Sequence, residues 1–308
     1  MDLFLLLTTF FVTLALGVPV AVCLGLASLA YILTAGLPVV IIPQRMYAGM
    51  DVFVLLCIPG FILAGNLMNF GGITERIIRL ANAMVGWMRG GLAMANVADS
   101  MMFGGVSGTA VADVAATGGV MIPGMKKSGY PGDFAAAITA ASATVGPMLP
   151  PSVPMIIVGA LSGISVGQLF LAGAVPGVLM GIGMAITCYI LAVRRNYPRQ
   201  QWQGFGELIA AFLAAFWALA MTGLIIGGLL TGIATPTETA IVACLYAFVI
   251  GTFVYRELPI RAVPRIIVNS AISSAGILAL VGFANVFGSI LASERIPQML
   301  VSSVLAIT

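Results

Sequence analysis

The chain has 308 residues, 61% of them hydrophobic and 7% charged, with a mean hydropathy of +1.14. A soluble domain carries about 25% charged residues, so the composition excludes a soluble fold and indicates a polytopic membrane protein. Thirteen Lys and Arg against ten Asp and Glu leave a net charge of +3, with no histidine at all. That rules out imidazole acid–base chemistry and His-based metal sites, and no polybasic run suits nucleic acid.

The apolar runs are long and continuous, so they read as helices and not as the short alternating strands of a barrel. Leu3 to Leu33 is apolar throughout and exceeds the roughly 20 residues of one crossing. Gly17-Val18-Pro19 lies in its middle, leaving one kinked span or two short ones. Val52 to Phe70 is a span with Pro59-Gly60 inside. Ile73 to Arg89 is amphipathic, with Arg76, Arg79 and Arg89 among Ile77, Ile78, Leu80 and Trp87. It reads either as an interfacial helix or as a helix end with snorkelling arginines.

Gly91 to Met125 follows, flanked by Arg89 and Lys126-Lys127. Basic residues mark the cytoplasmic face. The segment is therefore expected to enter the membrane and return, turning at the break Gly104-Gly105-Val106-Ser107-Gly108-Thr109. Asp133 to Val145 is helical, breaks at Gly146-Pro147-Met148-Leu149-Pro150-Pro151-Ser152, and resumes at Val153 to Leu161. Val166 to Val193 is a span ending at Arg194 and Arg195. Gln200 to Glu207 is a polar connector, and Leu208 to Ile233, Pro236 to Tyr255 and Ile266 to Leu291 are further spans. Another helix begins at Ile296. The run reaching Thr308 is too short to cross and has no cap, so the sequence reads as cut and not as finished. The four cysteines, Cys23, Cys57, Cys188 and Cys244, are scattered through apolar runs and read as small buried hydrophobes.

The two breaks carry the functional reading. In hydrocarbon every freed backbone group needs a partner, so irregular backbone is tolerated only inside protein or beside a polar cavity. Interrupted helices are also how secondary transporters present helix ends to ions and substrates. Ser107, Gly108 and Thr109 precede a helix start, where a Ser or Thr can serve as a cap. Their carbonyls and hydroxyls can equally hold a hard cation such as Na+. Pro150 and Pro151 remove two backbone donors and hold the preceding residue extended, leaving an unwound segment that ends at Ser152. Gly105-Val106-Ser107-Gly108 also fits a short serine-protease pattern, but that nucleophile needs a base, usually histidine, and the chain has none. Thr235-Pro236-Thr237-Glu238 spells a capped helix start, with Pro at the first position and Glu completing a capping box. Asp99, Asp113 and Glu238 are the acids placed within the membrane zone. A bare charge there costs about 2.5–3.5 kcal/mol on insertion scales, so each should be paired, protonated or bound to a cation. No Gly-x-x-x-x-Gly-Lys-Ser/Thr phosphate loop occurs, which speaks against ATP-driven transport by this chain.

These segments, in this order, resemble the large membrane subunit of tripartite ATP-independent periplasmic (TRAP) transporters, the DctM type. The resemblance runs from Gly17-Val18-Pro19 through Phe61-Ile62-Leu63-Ala64-Gly65-Asn66-Leu67-Met68, both breaks, Gly129-Tyr130 and Thr235-Pro236-Thr237-Glu238 to Ile296-Pro297-Gln298. It implies an all-α elevator-type fold of the ion-transporter superfamily, with re-entrant hairpins and broken helices, and an integral protein of the bacterial or archaeal inner membrane. On that reading residues 1–70 are N-terminal scaffold helices and 71–165 a first transport repeat. Residues 166–207 are a scaffold span with its connector, and 208–308 an incomplete second repeat. The implied partners are a small four-helix membrane subunit and a periplasmic substrate-binding protein. The implied cargo is an organic acid of the C4-dicarboxylate, keto acid or sialic acid type, driven by Na+ as coupling ion with no other cofactor. Substrate contacts fall to Ser107, Gly108, Thr109, Pro150, Pro151, Thr235, Thr237 and Glu238. The Na+ candidates are Ser107, Gly108, Gly146 and Ser152. The family also implies a second Gly-x-x-x-Pro-Pro-like break beyond Thr308. The alternatives to a permease are a pore or channel component, or an inactive fragment of such a permease.

Overall fold

The computed structural model describes residues 2–305, and the side chains of these except 2, 106, 107, 300 and 303–305. Among the described residues every regular element is helical, as hydrocarbon requires of a chain whose backbone groups must be satisfied within the segment. Six helical stretches among them are long and apolar enough to cross a membrane: Phe53–Phe70, Gly132–Ser162, Val166–Arg194, Gly204–Leu230, Pro236–Val254 and Ile260–Ser293. Their outer faces are covered with large apolar side chains; Phe205, Leu213 and Ile241, for example, are all exposed. The chain is an integral membrane protein.

It divides into two compact units, Met1–Leu55 with Ile272–Thr308, and Leu56–Ala271. In the first unit the long N-terminal run resolves into two helices, α1 (Asp2–Ala15) and α2 (Val20–Thr34). Gly17 adopts φ +79° and Pro19 carries no amide proton, so the helix ends here and does not merely kink. Each piece is about 21–23 Å long at 1.5 Å per residue, short of a 30 Å hydrocarbon layer. α3 (Ile41–Met50) follows. Leu6, Ala27, Tyr31, Ile32, Val286 and Ile290 form this unit's core. The Tyr31 hydroxyl donates to the Glu294 carboxylate.

The second unit begins with α4 (Cys57–Phe70) and α5 (Ile73–Val85). α5 buries Ile73, Ile77, Leu80 and Ala81 along one stripe, the pattern expected of an amphipathic helix. It ends at Val85, so Trp87 and Arg89 lie beyond it. Its arginines do more than snorkel. Arg76 pairs with Glu257 at 2.6 Å and stacks 4.0 Å from the Tyr255 ring centroid. The Glu257 carboxylate holds the Arg76 guanidinium above its usual range. Arg79 grips Glu207 with two bonds, of 2.6 and 2.9 Å.

α6 (Gly91–Ser107) and α7 (Ala110–Lys127) form a helical hairpin, and α8 (Gly132–Ala143) packs against both. A 3-10 turn at Gly146–Met148 leads to α9 (Val153–Ser162), followed by α10 (Val166–Arg194), α11 (Gly204–Leu230), α12 (Pro236–Val249) and α13 (Val263–Ser293). α14 (Ile296–Leu305) closes the described chain. The polar connector before α11 is shorter than the sequence suggests. Gly204, at φ +88°, starts the helix, and Glu207 lies in its first turn, where a carboxylate suits the positive helix end. Small residues let helices approach closely: a Cβ on Gly60 of α4 would lie 2.8 Å from the Ala240 Cβ of α12, the arrangement membrane helices use in place of a hydrophobic driving force.

Candidate functional site

The two sequence breaks, some forty residues apart in the chain, lie against each other in space. The first is the turn of the α6–α7 hairpin. Gly108 closes α6 in the left-handed region at φ +64°, its amide bonded to the Gly104 carbonyl. Thr109 is extended and caps α7, its hydroxyl accepting from the Ala112 amide at 3.3 Å. The second break runs from the end of α8 to the start of α9. Gly146–Met148 makes one 3-10 turn, Leu149 is extended, and the Pro150–Pro151 bond is cis. Ser152 then caps α9, accepting from the Met155 amide at 3.3 Å and donating to the Pro147 carbonyl.

Glycine makes the apposition possible. A Cβ on Gly104 would lie 2.3 Å from the Gly146 Cα, and one on Gly108 would lie 2.7 Å from the Pro151 carbonyl oxygen. The Val153 amide donates to the Gly108 carbonyl at 3.3 Å, directly joining the two breaks. α11 adds a third element, with the Thr222 hydroxyl donating to the Gly105 carbonyl at 2.9 Å. Four helix ends therefore converge. α6 and the α8 segment arrive with carbonyls, and α7 and α9 depart with amides. A backbone carbonyl has two lone pairs, so those already bonded here retain capacity for a cation. The three prolines of the second break supply carbonyls with no matching amide protons.

Of the residues nominated from sequence, Gly108, Thr109, Gly146, Pro150, Pro151 and Ser152 are brought together. Ser107 ends α6 at the same place, but its side chain lies outside the described residues. Thr235 and Glu238 form the expected capping box at the start of α12: Glu238 accepts from the Thr235 amide and hydroxyl, both at 2.8 Å, and Thr235 accepts from the Glu238 amide. Their described side-chain bonds are with each other, the Thr235 carbonyl also accepts from the Thr239 amide and hydroxyl at 2.9 and 2.8 Å, and Glu238 is exposed. Thr237 lies in the same first turn. Asp99 and Asp113, by contrast, are fully buried in the hairpin arms.

Two contributions were missed from sequence. A small cavity of about 30 Å³ beside the first break is lined by Thr109 and Phe103 together with Asn66 and Asn69 of α4. Asn66 donates to Ser270 at 2.8 Å, and Asn69 accepts from Thr74 at 2.7 Å. Two asparagines three residues apart in an otherwise apolar helix were the available signal, since polar side chains at membrane depth face protein or a cavity. Thr222 had only its polarity to mark it.

Residues 7–308 match the family described as Tripartite ATP-independent periplasmic transporter, DctM component. The chain is 37% identical over 312 residues to the C4-dicarboxylate TRAP transporter large permease protein DctM of Vibrio cholerae, covering 94% of this chain and 69% of that protein. It is 40% identical over 293 residues to the sialic acid TRAP transporter large permease protein SiaM of the same organism, covering 95% and 69%. To the 2,3-diketo-L-gulonate TRAP transporter large permease protein YiaN of Escherichia coli it is 36% identical over 287 residues, covering 93% and 68%.

Proposed function

Because this chain belongs to the DctM family of TRAP transporter large permeases, a family of transporters and not of enzymes, we propose that it is the permease subunit of a Na+-coupled importer of organic acids in the bacterial inner membrane. The observation that carries the proposal is the meeting of the two breaks, fixed by the Val153-to-Gly108 bond and the Gly104–Gly146 approach. The C-terminal ends of α6 and of the α8 segment offer carbonyls to a cation. The N-terminal ends of α7 and α9, capped by Thr109 and Ser152, offer amides and positive dipole ends to a carboxylate. Broken helices in membrane transporters divide the work between ion and substrate in this way. Gly108, Gly146 and the main chain at Ser107 are the Na+ ligands on this reading, with Ser152 holding the second break in shape. Thr109, Pro150 and Pro151 face the substrate. The cavity lined by Asn66 and Asn69 has room for about one water and extends the polar surface beside Thr109.

The relatives' names span a C4-dicarboxylate, a sialic acid and a diketo sugar acid. What these share is a carboxylate, the group that helix N-termini bind without a diagnostic side chain. A periplasmic binding protein delivering the substrate and a small four-helix membrane subunit complete the proposed assembly. The α6–α7 hairpin is the re-entrant, mobile element within residues 71–165, and the capping box of Thr235, Thr237 and Glu238 starts the corresponding helix of the second repeat. The test is uptake in liposomes by the assembled transporter. Gly108→Ala, which strains a left-handed residue and crowds the Pro151 carbonyl at 2.7 Å, and Gly146→Ala, whose Cβ would meet the Gly104 Cα at 3.2 Å, displace the proposed carbonyl ligands and should each raise the Na+ concentration needed for half-maximal uptake. Unchanged Na+ dependence in both variants overturns the assignment.

A further inference from the structure

The arms of the hairpin hold a second polar cluster, which begins one turn from the first break. Asp99 lies on α6, eight residues before Ser107, or about 12 Å along the helix at 1.5 Å per residue. Asp113 lies one turn into α7. Both carboxyls are 0% exposed. Asp113 is the acidic neighbour of Asp99, Thr117 stands beside both, and Ser100 stands beside Asp113.

The available protons can be counted. Thr117 has one, and it goes to Asp113 Oδ1 at 2.9 Å. The Ser100 hydroxyl donates to Ser142 at 3.0 Å, and Ser142 donates to the Thr139 carbonyl at 3.2 Å. Thr139 donates to the Ala135 carbonyl at 2.8 Å. The Asn96 amide donates to Thr139 at 2.6 Å and to the Met125 sulfur. Ser100 also stands within hydrogen-bonding reach of Asp113, so its one proton is shared between Ser142 and that carboxyl, and the other donors are committed. Both oxygens of Asp99, Oδ2 of Asp113 and Oδ1 of Asn96 are left buried without a partner, and all four atoms are acceptors. The deficit is therefore of positive charge or protons and not of polar groups in general.

The surrounding helices do not fill it. α8 brings Thr139 and Ser142, and among the described residues no Lys or Arg pairs with either carboxyl. The ion pairs described are Arg76–Glu257 and Arg79–Glu207. A buried carboxylate without a partner is strongly disfavoured. Two carboxylates carry two negative charges, so one monovalent cation balances the pair when the other carboxyl keeps a proton; no group of three or more His, Cys, Asp or Glu among the described residues could hold a metal ion, which speaks against a transition-metal cage.

We propose that Asp99 and Asp113 form a second cation site, which takes one monovalent cation, Na+ or H+, between the two arms of the hairpin. Loading the site ties α6 to α7 through the ion. Emptying it leaves a buried carboxylate without a partner and loosens the pair. The site uses other side chains than the break, although the Asp113 amide bonds the Thr109 carbonyl at 3.2 Å, and its test needs no transport.

The thermal midpoint of the 308-residue chain in detergent would be followed against Na+ concentration, with choline holding ionic strength constant, and separately against pH. Asp99→Asn and Asp113→Asn are near-isosteric and remove the charge. The expected result is that the wild-type midpoint depends on one of these cations and that both Asn variants lose that dependence. Loss of the Na+ dependence identifies Na+, and loss of the pH dependence identifies a proton. Unchanged dependence in both variants overturns the proposal, as does a Na+ dependence removed by Gly108→Ala alone, which would belong to the break. If the variants do not fold, dicyclohexylcarbodiimide labelling of the wild type decides, because that reagent adds to a protonated carboxyl in an apolar setting. Labelling at Asp99 or Asp113 should fall about tenfold at Na+ ten times its dissociation constant, or fall as pH rises. Labelling insensitive to both, or confined to unfolded chain, overturns the site.

Discussion

Replacing Gly104 by alanine tests the apposition of the two breaks most directly. The added Cβ would lie 2.3 Å from the Gly146 Cα, 3.2 Å from its carbonyl carbon and 3.3 Å from its carbonyl oxygen. These are backbone atoms and cannot rotate away. Restoring an ordinary carbon–carbon separation of about 3.5–4.0 Å requires the breaks to part by more than ~1 Å. Overpacking of this kind typically costs about 1–3 kcal/mol. Helix propensity works in the opposite direction, since alanine is favoured over glycine by about 0.5–1 kcal/mol in a helix interior. Gly119 supplies the control. It lies within α7, and a Cβ there meets nothing within 4 Å, so Gly119→Ala should gain the propensity term alone. Thermal unfolding in detergent should therefore rank Gly119→Ala above wild type and wild type above Gly104→Ala. At roughly 2.1 cal/mol/K of unfolding entropy per residue, a 308-residue chain shifts by ~1.5 °C per kcal/mol, so the two variants should differ by about 2–5 °C. A Gly104→Ala protein that melts at or above the Gly119→Ala protein would refute the close approach, and with it the shared site.

Two further outcomes are expected. Single cysteines placed at Arg89 and at Lys126 should be labelled from the same side of the membrane, since each terminates an arm of the α6–α7 hairpin; opposite accessibility would make Gly91–Lys127 a true crossing. Ser152→Ala removes a buried cap and the donor to Pro147, so it should lower stability by about 1–2 kcal/mol in detergent melts. Ser152→Thr, which keeps the hydroxyl, should recover most of the loss.

The breaks themselves were legible in the sequence because glycine and proline act locally: Gly108 must be left-handed, and two consecutive prolines cannot continue a helix. Thr109 and Thr235 were legible as caps for the same reason, whereas Ser152 was read only as the end of the unwound segment and a Na+ candidate. Whether Gly17-Val18-Pro19 ends a helix or bends it was not, because both outcomes use the same residues and neighbouring packing decides. Glu207 was read as connector because it ends the polar run from Gln200, whereas in the fold Gly204 opens α11 and Glu207 lies in its first turn. The partners were the least legible. Periodicity tells which face of a helix is buried but not against what, so neither the approach of Gly104 to Gly146 nor the bond from Thr222 to Gly105 could be read from spacing. Arg76 and Arg79 looked like lipid-interface residues until Glu257 and Glu207 were placed beside them.

The four helix ends that converge at the breaks also set an electrical balance. Each N-terminus contributes about +0.5 of an elementary charge and each C-terminus about −0.5. With α7 and α9 departing where α6 and the α8 segment arrive, two ends of each sign cancel. The assembled crevice therefore presents no net field to the bilayer, only an alternation of poles over a few ångströms. A lone Na+ entering it would bring one uncompensated charge into hydrocarbon, and a lone carboxylate would do the same with the opposite sign. The two together restore neutrality, each shielding the other from the poles it does not favour. On the proposed function, a site balanced in this way would favour neither ion alone, and coupling would follow from how the chain is folded back on itself without any dedicated gate.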